Sequence, residues 1–380
     1  MKILHVVRQF WPATGGLENF VLELATEQIR NGLRPHVLTL NRIHSRPGAV
    51  LEPVDEVRGI AVRRIGYWGS RRYPVAPSSV LGLQSYDIIH VHGVDFFCDY
   101  FAATSSLHGR PLVLSTHGGF FHTPRNRRLK QLFFNVITRW SLKRYSMVLA
   151  SSINDEELFR PIAGARLHRI DNGVDTVKLA NAASNTFSPA FIYFGRFSSN
   201  KGLSTLISTF VSLKKFVPEA SLHLVGNDYD GVLPKMEAEI SNTLIAGSIH
   251  IHTEVDDAGL RNILNSCSVF VSASEYEGFG LTLVEGMSAG LIPIVSRIPS
   301  FECIIRKARI GIALDFTDPE QAACEIAAYV ESIRADYAPM RDTAIGASQH
   351  YCWAQVARKF HACYLEILEP EGLRMKGVGA

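Results

Sequence analysis

The sequence predicts an α/β fold made twice over, as two doubly wound, Rossmann-like domains facing one another across a cleft. Three observations predict it. A chain of 380 residues is long for one hydrophobic core. Short apolar, β-branched runs alternate with longer stretches of helical periodicity, the order that yields parallel sheets with right-handed crossovers. The alternation pauses at TVKLANAASNTFSPA (176–190), a small, polar and unperiodic stretch that reads as a linker.

In the first half, buried parallel strands are expected at Ile3–Val7, His36–Leu40, Asp87–Val91, Leu112–Ser115 and Met147–Ala150, with a helix over Leu17–Asn31. In the second half they are expected at Phe191–Phe194, Ser221–Val225, Ser248–His252, Ser268–Val271 and Ile292–Val295, with a helix over Leu203–Phe216. Trp353–Leu368 reads as a final amphipathic helix followed by a frayed tail. The domains are therefore expected at 1–180 and 186–350, with 351–380 as the closing helix and tail.

The net charge of +3 hides an asymmetry: residues 1–180 carry 23 lysines and arginines against 14 acids, and residues 181–380 carry 16 against 22. Such a split suggests that the first half faces something anionic. The cysteines Cys98, Cys267, Cys303, Cys324, Cys352 and Cys363 form no C-x-x-C pair and read as thiols of a reducing compartment. Only five residues separate Lys2 from Arg8, too few for a signal-peptide core, and no apolar run reaches a membrane span. A cytoplasmic protein with at most peripheral membrane contact is expected.

Ligands of open α/β sheets bind where strands end, so the segments that follow strands carry the chemistry. After the first strand, Gly15-Gly16 lets backbone approach a phosphate at a helix N-terminus, though on its own the pair reads better as a plain tight turn. After Leu112–Ser115 comes His117-Gly-Gly119, exposed to the cleft, where an imidazole can donate to a sugar hydroxyl or accept a proton; the bland reading is a turn histidine. His90 and His92 share one strand face, but no third or fourth ligand is visible near them, so packing is favoured over metal. Gly195-Arg196-Phe-Ser-Ser-Asn-Lys201-Gly202 places two cations around a small loop suited to a pyrophosphate, and its glycine spacing is not that of a Walker loop. Asp228-Tyr-Asp230 mimics a metal-binding pair but sits in a polar turn.

EYEGFGLTLVEGMSAG (275–290) admits two readings. Gly286-Met-Ser288-Ala-Gly290 spells a nucleophile elbow, yet such an elbow needs a helix after the serine, and here the helical spacing precedes Ser288. Glu277 and Glu285 lie eight apart on either side of a glycine loop. They cannot converge on one atom as a glycosidase pair does, but they can grip two ends of one long ligand.

In this order and spacing, Pro12–Glu18, His117, Gly195–Gly202 and Glu277–Glu285 resemble the retaining GT-B glycosyltransferases of family 4, with their E-x7-E signature. Asp171-Asn-Gly-Val-Asp175 is similar to the family's interdomain segment, and the closing helix is expected to return to the first domain. The resemblance implies that Gly15 and Gly16 approach the donor diphosphate and that Arg196 and Lys201 neutralise it as it leaves. It implies that Glu285 holds the ribose, that Glu277 with the Phe279, Gly280 and Leu281 backbone holds the donor sugar, and that His117 contacts that sugar. It also implies chemistry without a metal or other cofactor. Gly286 and Thr253 depart from the family's common Ala and Gly. A GT-B sugar-nucleotide epimerase, or a relic that binds without catalysis, remains the rival of another class.

His5–Phe10, Ser115–Phe121 and Tyr276–Met287 resemble more narrowly the mannosyltransferases of xanthan- and acetan-type exopolysaccharide assembly. GDP-mannose is then the expected donor, with a UDP-sugar as the alternative, and a polyprenol-diphosphate-linked oligosaccharide the expected acceptor. From Tyr100 to Asn154 there is no acid among eight cations, which include Arg125, Arg127, Arg128 and Lys130. Leu129, Phe133, Phe134, Ile137 and Trp140 lie among them at roughly helical spacing, as in a helix lying in the anionic inner face of the cytoplasmic membrane. An ordinary helix with a solvated basic face is the alternative.

Overall fold

A computed structural model describes residues 1–44, 46, 48–70, 73–118 and 131–369. The chain divides into two compact units. Unit one comprises Met1–Gly173 and the chain from Trp353 onward, and unit two comprises Val174–Cys352.

Unit one is built on β1 (Lys2–Val6), β2 (Arg34–Leu40), β3 (Val54–Val57), β4 (Ile60–Ile65), β7 (Ile88–His92), β8 (Leu112–Ser115), β9 (Met147–Ala150) and β10 (Leu167–Arg169), with a separate hairpin of β5 (Trp68–Ser70) and β6 (Tyr73–Val75). The sheet order is β10-β9-β8-β7-β1-β2-β4-β3, parallel except for the antiparallel edge strand β3. Because side chains alternate along a strand, Ile3 joins one apolar cluster and Leu4 another, so both faces are covered. The first face packs on the Gly16–Arg30 and Trp353–Leu368 helices, where Phe20 meets Trp353 and Phe360 edge-on at 5.2 and 5.9 Å. Gly173 lies so close to Trp353 that a Cβ would fall 2.4 Å from the indole ring.

Unit two contains β11 (Ala190–Phe194), β12 (Ser221–Val225), β13 (Ile249–His252), β14 (Val269–Ser272), β15 (Ile292–Ser296) and β16 (Ile312–Leu314), all parallel in the order β13-β12-β11-β14-β15-β16. The chain starts in the middle, steps outward twice and returns to the other side of β11. The order therefore reverses between β11 and β14, and the carboxyl ends of those strands frame a crevice. In unit one the corresponding reversal lies between β1 and β7.

Several expectations are corrected. The presumed linker is not one: Leu179 and Ala183 are buried in the core of unit two, and Asn181 and Ala183 donate backbone hydrogen bonds to the carbonyls of Ser288 and Ala289. Its residues are small because they pack closely. The Leu203 helix stops at Leu213, leaving Phe216 exposed. Strands β3, β4, β5, β6, β10 and β16 lie outside those expectations. Val54–Val57 is mostly polar and exposed at the edge, and β10 and β16 have only three residues each. All six cysteines are free thiols.

Gly202 joins the loops after β11 and β14. Its φ is +61°, and a Cβ there would lie 2.1 Å from the carbonyl oxygen of Ala273. Replacing it therefore combines backbone strain with a clash against a rigid peptide. The variant Gly202→Ala should lose more than about 2 kcal/mol of unfolding free energy, read from the urea midpoint at constant slope. An unchanged midpoint would show that these loops do not need that approach.

Candidate active site

In unit two the side chains gather over the β11/β14 reversal. Lys201 ends the β11 loop and Glu277 lies in the β14 loop, and their Nζ and Oε1 are 2.6 Å apart with both side chains largely enclosed. Ser274 donates to the same carboxylate oxygen at 3.2 Å and bonds Ser272 at 3.0 Å. Asn200 stitches the same two loops, donating its side-chain amide to the Tyr276 carbonyl while its own carbonyl accepts from the Glu275 amide. Arg196 is exposed, with its guanidinium 4.8 Å from the Tyr229 ring centre and its carbonyl accepting from the Tyr193 hydroxyl at 2.9 Å. One cation is thus neutralised within the unit, whereas among the described residues no carboxylate pairs with Arg196.

Glu285 sits in the Leu281–Ala289 helix, whose N-cap is Gly280 at φ +104°. Burial pushes its carboxyl up to about 7, against the opposing pull of the Lys178 ammonium, while the carboxylates of Asp175 and Asp257 push the same way as burial. Lys178 itself pairs with Asp257 at 2.7 Å. Glu277 and Glu285 thus have separate neighbours, as two grips on a long ligand would. Phe279 is buried and Leu281 exposed. Gly286 lies against Phe270, where a Cβ would come within 3.1 Å of the ring. Ser288 is buried inside the same helix and donates to the Glu285 carbonyl at 2.7 Å, which excludes the elbow reading.

In unit one, Gly15 caps the Gly16–Arg30 helix in extended conformation, with Glu18 in the first turn. A Cβ on Gly16 would meet nothing within 4 Å, so the fold itself does not demand glycine there. His117 is held at φ +53° because Asp155 gathers its neighbours: the carboxylate accepts from the Thr116 hydroxyl at 2.6 Å, the Gly118 amide at 2.9 Å and the Ser151 hydroxyl at 2.8 Å. The expectation of an exposed His117 is corrected. It is half-buried, edge-on to Phe20 at 4.5 Å, and bonds His92 at 3.0 Å; burial lowers its pKa to about 4. The expectation that His90 and His92 lack a third neighbour is also corrected. With His5, opposite His90 in the β1–β7 register, one ring nitrogen from each of the three histidines lies within 4.8 Å of the others. Asp228 accepts from the amides of Gly231, Val232 and Leu233, and Asp230 from Ser199, so this pair is turn chemistry.

Sequence reading missed Lys178, Ser274, Asp155, His5 and Gln28. His5 lies in the His5–Phe10 segment but carries no role there, and the others sit in no motif; the strand register, the loops after the strands and the packed helices bring them in. Gly119 and the basic residues Arg125, Arg127, Arg128 and Lys130 lie outside the described residues, as does Leu129.

The family model "Glycosyl transferases group 1" matches residues 178–343, and the model "Glycosyltransferase Family 4" matches residues 14–178. The GDP-mannose:cellobiosyl-diphosphopolyprenol alpha-mannosyltransferase of Xanthomonas oryzae pv. oryzae is 38% identical over 362 residues, covering 95% of each chain. The Komagataeibacter xylinus protein of the same name is 35% identical, covering 97% of this chain and 94% of its own. Among solved structures, a glycosyltransferase from Rickettsia africae superposes with a TM-score of 0.74 at 19% identity, over 97% of this chain and 99% of that one. Two reversed parallel sheets, the paired motifs at their carboxyl ends and this near full-length identity agree: the chain belongs to the group 1, family 4 glycosyltransferases and has their GT-B fold.

Proposed function

We propose that this glycosyltransferase moves mannose from GDP-mannose onto a polyprenol-diphosphate-linked oligosaccharide, with retention of anomeric configuration and without a metal ion. The observation that carries the substrates is the 38% identity, over 95% of the chain, to a mannosyltransferase named for that donor and a cellobiosyl-diphosphopolyprenol acceptor. Arg196 and Lys201 would hold the diphosphate, and Glu285 the ribose hydroxyls. Glu277 and the Phe279, Gly280 and Leu281 backbone would hold the sugar, while unit one would supply Gly15 and Gly16 to the diphosphate and His117 to the sugar.

In the reaction, the bond from the anomeric carbon to phosphate oxygen breaks as the bond to the acceptor oxygen forms. The acceptor's proton passes to the departing phosphate. The charge that grows on that phosphate is stabilised by Arg196 and Lys201, whose positions are already set before the reaction. Glu277 is engaged by Lys201 and Ser274, which suits a positioning and electrostatic role better than attack on carbon. A panel of nucleoside diphosphates tests the donor by thermal shift, since binding stabilises the folded protein by about RT ln(1 + [L]/Kd). GDP should give the largest shift; a shift from UDP that equals or exceeds it would point to a UDP-sugar donor instead.

Glu285 gives a second test. Its pKa is raised in the folded protein, so the folded state binds more protons than the unfolded state between roughly pH 4.5 and 7. Stability therefore falls as pH rises through that window, and the full penalty applies above it. Glu285→Gln should be more stable than the parent by about 2–3 kcal/mol at pH 8, with the difference gone below pH 4, yet bind GDP-mannose about ten- to a hundredfold more weakly. A variant that is destabilised at pH 8, or that keeps its donor affinity, would remove the ribose assignment.

Gly16 gives a third. With open space around its missing Cβ, Gly16→Ala should leave the melting temperature within about 2 °C and still weaken donor binding at least tenfold, because only a ligand would meet the new methyl. Unchanged donor binding, measured by titration calorimetry, would move the diphosphate elsewhere.

The acceptor's lipid anchor requires work at a bilayer, and peripheral association with the inner face of the cytoplasmic membrane is part of this proposal. Among the described residues, no helix is long and apolar enough to cross a membrane. Leu132, Val136, Ile137 and Trp140 are all more than two-fifths exposed beside Arg139, Lys143 and Arg144, although Phe134 turns inward onto Phe159 at 5.1 Å. Apolar exposure among cations suits an anionic interface, each cation contributing about 1 kcal/mol. Binding to anionic vesicles should fall steeply with ionic strength and vanish when Arg125, Arg127, Arg128 and Lys130 are all changed to Glu, with activity on a soluble acceptor retained. Continued cosedimentation of that variant with vesicles would assign the patch to solvent.

A further inference from the structure

Seven side chains form one continuous hydrogen-bonded chain under the sheet of unit one. His117 Nε2 meets His92 Nδ1 at 3.0 Å, His92 Nε2 meets His5 Nδ1 at 2.9 Å, and His5 Nε2 meets Gln28 Oε1 at 2.7 Å. Gln28 Nε2 then donates to the Tyr364 hydroxyl at 3.4 Å, Tyr364 bonds His90 Nδ1 at 2.7 Å, and His90 Nε2 bonds the Ser115 hydroxyl at 2.8 Å. All but His117 are buried. Every ring nitrogen of His5, His90 and His92 already has a partner, so these rings form a relay, not a vacant ligand set.

The polarity of the chain follows from its middle. Gln28 presents its amide nitrogen to the Tyr364 hydroxyl and its amide oxygen to His5 Nε2. That oxygen only accepts, so the proton of the next bond sits on His5 Nε2. Burial holds the imidazoles neutral, His5 at about 4 and His92 well below its ordinary value. Neutral His5 then accepts at Nδ1, which puts the proton on His92 Nε2. The same step places the next proton on His117 Nε2. The lone pair left over is on His117 Nδ1, which has no hydrogen-bond partner among the described residues.

We infer that Gln28, acting through His5 and His92, is a positioning residue that fixes His117 as the Nε2–H tautomer, so that Nδ1 is presented as a hydrogen-bond acceptor to a substrate hydroxyl. The use of that acceptor rests on the proposed contact of His117 with the donor sugar; the tautomer does not. A neutral acceptor of fixed polarity selects a hydroxyl that donates and rejects a group that cannot.

Long-range proton–nitrogen correlation spectra of the full chain, labelled with nitrogen-15 at histidine and assigned by single substitutions, read the tautomers directly. His5, His92 and His117 should each carry the proton on Nε2. Protonation of His117 on Nδ1 in the unaltered protein would overturn the relay, and this measurement needs no variant to fold. Gln28→Leu should leave His117 with mixed tautomers and lower kcat/KM for GDP-mannose about tenfold, while Gln28→Glu, which keeps an accepting oxygen, should restore the Nε2–H form. A Gln28→Leu protein whose His117 tautomer is unchanged would overturn the inference. Loss of the tautomer with kcat/KM unchanged would leave the relay standing and overturn the sugar contact of the proposed function.

Discussion

The close approach of Gly202 to the carbonyl of Ala273 is the constraint on which the site of unit two depends. It brings the loop after β11 against the loop after β14 at the point where the strand order reverses. Beside that approach, Lys201 reaches Glu277 and Asn200 bonds the Tyr276 carbonyl. Parallel strands end side by side at one edge of the sheet, so residues 76 apart in the chain become neighbours. The two loops then hold a cation and a carboxylate in fixed positions before any ligand arrives, and such preorganisation is what makes charges effective during a reaction.

That arrangement carries a cost in stability, and the cost is concentrated on Glu285. A carboxyl lifted to about 7 by burial is a group the fold would rather keep protonated. Lys178 offsets part of the burial, but Asp257 competes for the same ammonium at 2.7 Å. On the proposed ribose contact, a ligand hydroxyl donating to Glu285 would supply what the protein does not. Folds hold such uncompensated groups where ligands bind, and the compensation lies in the closely packed β11–β15 core around the Leu281–Ala289 helix.

Unit one uses histidine where unit two uses formal charge. His5, His90 and His92 occupy positions at the centre of a parallel sheet that are otherwise apolar, and burial removes their capacity to ionise near neutrality. What remains is directionality. A hydrogen-bonded chain of neutral imidazoles has a polarity set by the amide of Gln28, and here it connects helix Gly16–Arg30 and helix Trp353–Leu368 to the loop that carries His117. The closing helix therefore does more than cover apolar surface: Phe360 and Tyr364 fill the face on which these rings lie.

The sequence by itself determined the doubly wound class, most of the long strands and the strand ends at which the four candidate segments lie. Alternating strand and helix periodicity is a local property, and glycine-rich turns after apolar runs mark strand ends wherever the sheet is placed. Ser288 was likewise legible as a helix residue, because helical spacing runs through Leu281, Val284 and Glu285 before reaching it. The tertiary structure alone decided which of these groups meet. The pairing of Lys201 with Glu277, the placing of Lys178 near Glu285 and the alignment of His5 with His90 and His92 depend on strand order and register. The same holds for residues 176–190, whose small polar composition suits a linker and a tightly packed strap equally well, and only the space left beside the Leu281–Ala289 helix distinguishes them. Spacing along a chain sets what can be near in one element; burial and register, which involve residues far apart in the chain, set which charges are screened and which are paired.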